Sequence, residues 1–413
     1  VKIAYLAPEI PALSATFVYN EILCLQRLGT EVIPFSIHRP KVEAQEPSVE
    51  NLKANTRYLY ERSKFIVAGK HLRLIFGHPR AYFSGFGWLV RDMIQLGLVN
   101  RGALGLAYRF FFAAALADDL RRTKVQHLHV HFAHVPTDVA MYASVLAGIR
   151  FSVTAHANDL FERGWLLKEK VRRSAFFATI SEFNVRFLRS LGADVSRINV
   201  IRCGVDDDQF PANVGINTKK PDAHRVVGVI GRMVEKKGMD LLIKAIYLLC
   251  QRNMDVELRI AGSGPLEQEL RNLVYKHQLE NQVKFLGPIA HNQVSEFLTS
   301  LDLFVLPCRK DSNGDMDGIP VVLMEAMLSG IPVVSTRLSG IPELVVDQQS
   351  GLLVDPEDEA SLADAIAAIL QDLPMSQRLT QNAISLIRQE FSLSGNTEKL
   401  NRLFYHCVQQ HSL

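Results

Sequence analysis

At 413 residues the chain exceeds the size to which one hydrophobic core grows, so two domains are expected. Its 48% hydrophobic and 22% charged residues, without a low-complexity run or charged tail, exclude a disordered or fibrous protein. A net charge of +3, with 46 Lys and Arg spread along the chain, gives no basic stripe, so no nucleic-acid partner is expected. Cys24, Cys203, Cys250, Cys308 and Cys407 are scattered and form no CxxC pair, which argues against a disulfide framework or structural zinc and suits a reducing compartment. The chain opens directly into the strand-like Val1-Lys2-Ile3-Ala4-Tyr5-Leu6 with no secretory signal visible, so a cytoplasmic location is expected.

In chain order, 1–7 reads as a strand, 16–28 as a helix ending at Gly29, and 31–37 as a second strand, which together make a βαβ unit. From 71 to 120 a stretch rich in Phe, Leu, Ala and Gly predicts two or three inserted helices. Its most apolar part, 102–117, is shorter than the ~20 residues of a membrane span and is broken by Arg109, so a buried helix is expected there. A face of Phe86, Trp88, Phe110, Phe111 and Phe112 beside Arg80, Arg91 and Arg101 offers a second reading, peripheral contact with an anionic membrane on the inner face of the cytoplasmic membrane.

Apolar strands return at 125–130, 151–154, 176–180 and 198–201, continuing the parallel alternation. Apolar periodicity then fails in an Asp, Asn, Gly and Pro-rich stretch. We therefore expect an N-terminal domain over 1–208, a linker over 209–218 and a C-terminal domain over 219–390. Residues 391–413 are expected to form a helix packing back on the N-terminal domain. Strands at 226–230, 256–261, 283–286, 303–307, 331–336 and 351–354 alternate with helices at 239–251, 266–277, 292–300, 320–329 and 359–371, predicting a second doubly wound sheet. The stretch 376–410 reads as helical.

Ligands of such sheets bind at the carboxyl ends of the strands. The loop Gly231-Arg232-Met233-Val234-Glu235-Lys236-Lys237-Gly238 leaves one strand with two glycines for close backbone approach and two cations, Arg232 and Lys237, suited to clamping a diphosphate. A solvated charged turn would have the same composition. The turn Ala261-Gly262-Ser263-Gly264-Pro265 either approaches a nucleotide through Gly262 and Gly264 or serves as a plain turn before a helix. In Asp317-Gly318-Ile319-Pro320, followed by a helix that contains Glu325, Asp317 lies before the helix and Glu325 inside it. Glu325 is flanked by Val, Leu, Met and Ala, where an unpaired carboxylate is costly, so hydroxyl groups are expected as its partners.

These segments resemble glycosyltransferase family 4, the retaining glycosyltransferases of the GT-B fold. GRMVEKKGMDLLIKA, IAGSGPLEQEL, DGIPVVLMEAMLSGIPVVST and GIPELV follow the family's donor-site order. In the first half, HLHVHFA and TAHANDLF are similar to the colanic-acid and exopolysaccharide subgroup. The resemblance covers nearly the whole chain. It implies an α/β architecture of two Rossmann-like, doubly wound domains facing each other across a cleft. It also implies that Arg232 and Lys237 contact the donor diphosphate, that Glu325 takes the ribose hydroxyls, and that the amides of Gly318 and Ile319 meet the sugar. His156 becomes a candidate catalytic or sugar-positioning residue by the same resemblance, whereas its own sequence context would equally suit capping of Asp159 or a helix. The family's acidic pair is usually two Glu separated by seven residues, so the shorter Asp317 departs from the pattern, and Ser14-Ala15-Thr16-Phe17 replaces a glycine pair near the N-terminus.

The expected activity is retaining, metal-independent transfer of a hexose from a nucleoside-diphosphate sugar, UDP-hexose before GDP-mannose, to a glycan or lipid-linked acceptor. No cofactor or metal is expected, since Arg232, Lys237 and helix N-termini would stabilise the leaving diphosphate. Asp206-Asp207-Asp208 follows no donor-site strand and reads as a solvated loop. A dehydrogenase would need a GxGxxG turn with a following acid, which is missing. A non-catalytic sugar-nucleotide-binding relative is the alternative.

Overall fold

A computed structural model describes residues 1–12, 15–40, 49–98, 100–162, 164–208, 210 and 224–410. Apart from Phe210, the linker expected over 209–218 lies outside the described residues. The chain divides into two compact units, one of Val1–Ile180, Asn184–Arg202 and Leu393–Leu413, the other of Ser181–Phe183 and Cys203–Ser392.

The first half runs β1 (Lys2–Glu9), α1 (Thr16–Arg27), β2 (Glu31–His38), α2 (Glu50–Asn55), β3 (Arg57–Tyr58), α3 (Lys64–Gly77), α4 (Pro79–Leu96) and α5 (Arg101–Thr123). It continues with β4 (His127–His131), α6 (Val135–Ala147), β5 (Arg150–Ala155), α7 (Asn158–Phe161), α8 (Leu167–Arg173), β6 (Phe177–Thr179), α9 (Glu182–Ser190) and β7 (Ile198–Val200). Its seven strands form a parallel sheet in the order β3-β2-β1-β4-β5-β6-β7. Residues Ile3 to Ala7 of β1 are all fully buried, as expected for a parallel strand covered on both faces.

The second half runs β8 (Arg225–Ile230), α10 (Met239–Gln251), β9 (Val256–Ala261), α11 (Glu267–Lys276), β10 (Val283–Gly287), α12 (Val294–Thr299) and β11 (Leu303–Leu306). It ends with α13 (Val321–Leu328), β12 (Val333–Thr336), α14 (Ile341–Leu344), β13 (Leu352–Val354), α15 (Glu359–Gln371), α16 (Leu373–Glu390) and α17 (Leu393–Gln409). Its six strands are also parallel, ordered β10-β9-β8-β11-β12-β13. Strand order reverses between β1 and β4 in one sheet and between β8 and β11 in the other, so each sheet has a switch point where ligands characteristically bind.

The inserted helices depart from the sequence expectation of 71–120. Helix α3 begins at Lys64, seven residues before the expected start, which the sequence conceals because Phe65 and Ile66 are exposed and only Val67 and Leu74 bury, hiding the 3.6-residue period. Helix α5 runs on to Thr123 and is started by Asn100, whose side chain accepts from the Gly102 amide at 2.9 Å. The aromatic face proposed for a membrane is also corrected. Phe110 and Phe112 are core residues, Phe111 and Trp88 are half-buried, and the Arg173 guanidinium lies 4.5 Å from the Trp88 ring centroid. Of those aromatics only Phe86 is exposed. No helix among the described residues is long and apolar enough to cross a membrane.

The stretch read as helical over 376–410 holds two helices. Helix α16 ends where the Phe391 carbonyl accepts from the Val205 amide at 3.0 Å, and Val205 also pairs with Ser392, which interrupts the helical ladder. Beyond this break α17 packs on α1, burying Leu400 and Phe404 with Ile3, Tyr5 and Ile22. The Thr30 hydroxyl donates to Asn401 at 2.8 Å.

Candidate active site

In the second unit, β8 and β11 end side by side, and the loops that follow them carry the charged groups. Gly231 leaves β8 at φ +154, and Gly238 closes the loop at φ +63, where a Cβ would stand 2.0 Å from the Pro307 carbonyl oxygen. The Arg309 amide donates to the Lys236 carbonyl at 3.0 Å, so the backbone holds the two loops together at the carboxyl end of the sheet. Lys237 reaches Asp317 at 2.6 Å, while Lys236 reaches Asp317 at 3.3 Å and Asp315 at 2.8 Å. Burial alone would raise the Asp317 carboxyl, but Lys237 and Lys236 outweigh it and hold the group below its usual range. Burial works against the Lys237 ammonium too, and Asp317 outweighs it, so this lysine stays charged. The Cys308 thiol donates to Asp317 at 3.4 Å, and burial together with Asp317 pushes the thiol well above its usual range. Asp317 thus touches lysines in this structure, fixing Lys237, and Lys236 and Cys308 join it without having been singled out from the sequence. Arg232 is exposed and has no hydrogen-bond or ion-pair partner for its guanidinium among the described residues.

Helix α13 begins after Pro320, which has no side chain to cap it. The amides of Gly318, Ile319, Val321 and Val322 find no acceptor among the described residues. Unpaired amides at a helix start are donors for an anion or for sugar oxygens. Further along, the Glu325 side chain is buried with no hydrogen-bond or ion-pair partner among the described residues, and burial lifts its carboxyl from 4.5 to about 7. A lone carboxyl in such surroundings is a candidate functional group, because it is costly to keep without a partner.

Gly262 and Gly264 have a structural reason to be glycine. A Cβ on Gly262 would lie 1.9 Å from the Gly231 carbonyl oxygen, and one on Gly264 would lie 2.4 Å from that of Met233. The Met233 amide donates to Ser263 at 2.9 Å and the Leu266 amide to Met233 at 3.2 Å, so the turn after β9 braces the loop after β8. Gly264→Ala is expected to cost about 1–3 kcal/mol by overpacking this contact, measurable as a lowered Tm with unchanged secondary structure by circular dichroism.

The first unit holds His156 at the carboxyl end of β5, immediately after Ala155. Its Nε2 is 3.1 Å from His131 Nδ1 at the end of β4, and its ring packs against Phe17 and Phe132 with centroids 4.7 Å away in each case. Burial, reinforced by His131 and His134, puts the His156 imidazole well below its usual range, so it is neutral near pH 7. Its amide donates to Asp159 at 2.9 Å, so Asp159 holds the His156 backbone and leaves the ring to other partners. His131 Nε2 lies 2.6 Å from the Tyr5 hydroxyl and 3.0 Å from Glu21, and Tyr5 also hydrogen-bonds Glu21. This chain behind His156 was not singled out from the sequence, although His127, His129 and His131 alternate along a strand and so share one face.

Among the described residues, the group with metal-ligand geometry is Glu21, His129 and His131, whose ligand atoms lie within 4.8 Å of one another. His129 Nδ1 is 2.8 Å from Ser152 Oγ and its Nε2 is 3.1 Å from Thr154 Oγ1, so hydroxyls already occupy both ring nitrogens. The donor set reads as a hydrogen-bonded polar core. Asp207 of the acidic run pairs with exposed Arg388 at 3.1 Å.

The family model described as Glycosyltransferase Family 4 matches residues 14–209, and that described as Glycosyl transferases group 1 matches residues 215–386. The chain is 31% identical to the putative colanic acid biosynthesis glycosyltransferase WcaL of Escherichia coli (strain K12), over 90% of this chain and 91% of that protein. It is 29% identical to the amylovoran biosynthesis glycosyltransferase AmsK of Erwinia amylovora, over 91% of each. Among solved structures, Anabaena Alr3699/HepE in complex with UDP-glucose superposes with a TM-score of 0.69 at 17% identity, covering 98% of this chain and 99% of that one. Sucrose-phosphate synthase from Thermosynechococcus elongatus superposes at 0.72 with 18% identity, covering 99% of both. Two parallel Rossmann-like sheets, matches to both halves and kinship along nine-tenths of the sequence place this chain in glycosyltransferase family 4, with the GT-B fold.

Proposed function

We propose that this glycosyltransferase moves a hexose from a nucleoside-diphosphate sugar, with retention and without a metal ion, onto a glycan or lipid-linked acceptor in bacterial surface polysaccharide synthesis. The observation that carries the reading is the buried carboxyl of Glu325, without a partner among the described residues, on the helix whose first amides are unpaired among them as well. Vicinal ribose hydroxyls would satisfy the carboxylate, and the amides of Gly318 and Ile319 would meet sugar or phosphate oxygens. Arg232, whose guanidinium has no partner among the described residues, and Lys237, anchored by Asp317, would neutralise the departing diphosphate in place of a metal. His156, neutral and braced by His131, would act as a hydrogen-bonding group toward the transferred sugar.

The relatives named for colanic acid and amylovoran biosynthesis support the pathway class, and a UDP-hexose is proposed ahead of GDP-mannose as the donor. The test is isothermal titration against UDP-glucose, UDP-galactose and GDP-mannose, followed by turnover of the binder with a polysaccharide-repeat acceptor. Arg232→Ala is expected to weaken binding about tenfold, the loss of one charge-assisted contact, while Tm stays within error because the Arg232 guanidinium pairs with none of the described residues. Binding of all three donors unchanged by Arg232→Ala would refute the donor site.

A further inference from the structure

The solvent face of the α3–α4 hairpin has no role in the reaction proposed above. Both helices pack on α5 through Val67, Leu74 and Leu89, and turn a stripe of apolar side chains the other way. On α3 the stripe is Phe65, Gly69, Leu72 and Phe76, and on α4 it is Phe83, Gly87, Val90 and Ile94. Both follow the i, i+4, i+7, i+11 spacing that aligns residues along one side of a helix. Phe65 is 91% exposed and Phe76 is 82% exposed, far beyond the scattered apolar residues of an ordinary surface.

The charges on the same helices have one sign. From Lys64 to Ala117 the single acidic residue is Asp92, and it is fully buried against Arg173 and Tyr142. Lys64, Arg80, Arg91 and Arg101 are exposed and make no ion pair among the described residues. Lys70 and Arg73 of α3 pair with the buried Asp118, and the exposed phenylalanines and aliphatics flanked by the remaining cations match a surface of acyl chains beneath anionic headgroups. A second copy of the chain fits poorly. A two-fold interface sets this patch against itself, bringing cation to cation with no exposed acid to pair them. We infer that the α3–α4 face docks on an anionic lipid bilayer, with Phe65, Phe76 and Phe83 entering the headgroup boundary and Arg80 and Arg91 engaging the lipid phosphates.

The test is co-sedimentation of the whole protein with phosphatidylcholine vesicles and with mixed phosphatidylcholine–phosphatidylglycerol vesicles, with light scattering in solution. Binding to the mixed vesicles only, weakening as salt is added, is the expected result. Arg80→Gln with Arg91→Gln is expected to lower the partition coefficient about 30-fold, near the worth of two basic side chains at an anionic surface. A Phe65→Ser, Phe76→Ser, Phe83→Ser variant is expected to lose detectable binding while retaining Tm and sugar-nucleotide affinity in solution, since these side chains are exposed and outside the donor loops. That retained affinity keeps the outcome separate from the fate of the proposed reaction. Equal sedimentation on both vesicle types, unaltered partition of the serine variant, or a dimer in solution that this variant dissolves would each overturn the inference.

Discussion

Glutamine in place of Glu325 is expected to weaken sugar-nucleotide binding about 10- to 100-fold, the loss of hydrogen bonds to a charged acceptor. The same substitution should change how stability depends on pH. Burial holds the folded carboxyl at about 7 against 4.5 for an exposed one, so between those values the folded chain keeps a proton that the unfolded chain has released. Stability therefore falls as pH rises through that window, by roughly 3 kcal/mol in all, and stays low above it. Glu325→Gln should remove this slope and leave the variant more stable than the parent at pH 8. Ribose hydroxyls favour the ionised carboxyl, so donor binding to the parent should release a proton and strengthen as pH rises toward 7. Titration calorimetry in buffers of different ionisation enthalpy measures that proton directly. A binding heat independent of the buffer, with affinity flat from pH 6 to 8, would remove Glu325 from the ribose site.

The second large effect concerns Lys237 and Asp317. Removing one member of a nearly buried ion pair leaves the other charge unmatched, so Lys237→Met is expected to cost about 3–5 kcal/mol, read by denaturant unfolding. Lys236 also contacts Asp317 and softens the penalty, placing the expected value at the lower end. The double variant Lys237→Met, Asp317→Leu should recover most of the stability, because the pair goes together, and yet have little turnover, because the cation for the diphosphate is still missing. Recovery of turnover with stability would mean that Lys237 acts only through folding. The contribution of Asp317 is present above its unfolded pKa of 3.8 and is lost as pH falls through its lower folded value, so the two variants should converge with the parent only in strong acid.

Much of the second unit was legible because its signals are local. Helices α10 and α15 and strand β9 coincide with their predicted limits, each being an apolar period closed by a polar or glycine boundary. The first unit was harder to read. The stripe of α3 and α4 puts large apolar residues on the solvent side, so an apolar pattern taken as a guide to burial assigns the wrong face there, whereas the expectation of a buried helix over 102–117 holds and the alternative of a membrane face through Phe110 and Phe112 does not. Pairwise chemistry between distant segments was also not legible. No spacing joins Lys236 to Asp315, or Glu21 to His131, since the fold brings them together from opposite sides of a strand order that runs out of sequence. The glycines of the β9 turn show another limit, since a ligand and a neighbouring carbonyl both demand a missing Cβ and leave the same mark in the sequence.

Helix α17 also bears on how the chain is made. Leu400 and Phe404 are completely buried beside β1 and α1, although nearly two hundred residues, including the whole second sheet, are synthesised between the end of β7 and α17. As the polypeptide leaves the ribosome, its first Rossmann sheet has an open apolar socket that nothing nascent can fill. The second unit, which apart from Ser181–Phe183 lies within Cys203–Ser392, can close first, and the N-terminal sheet must wait as an incomplete body until α17 is released. The order of synthesis is thus the reverse of the order of completion, and the interval between them is when this chain most needs protection from aggregation.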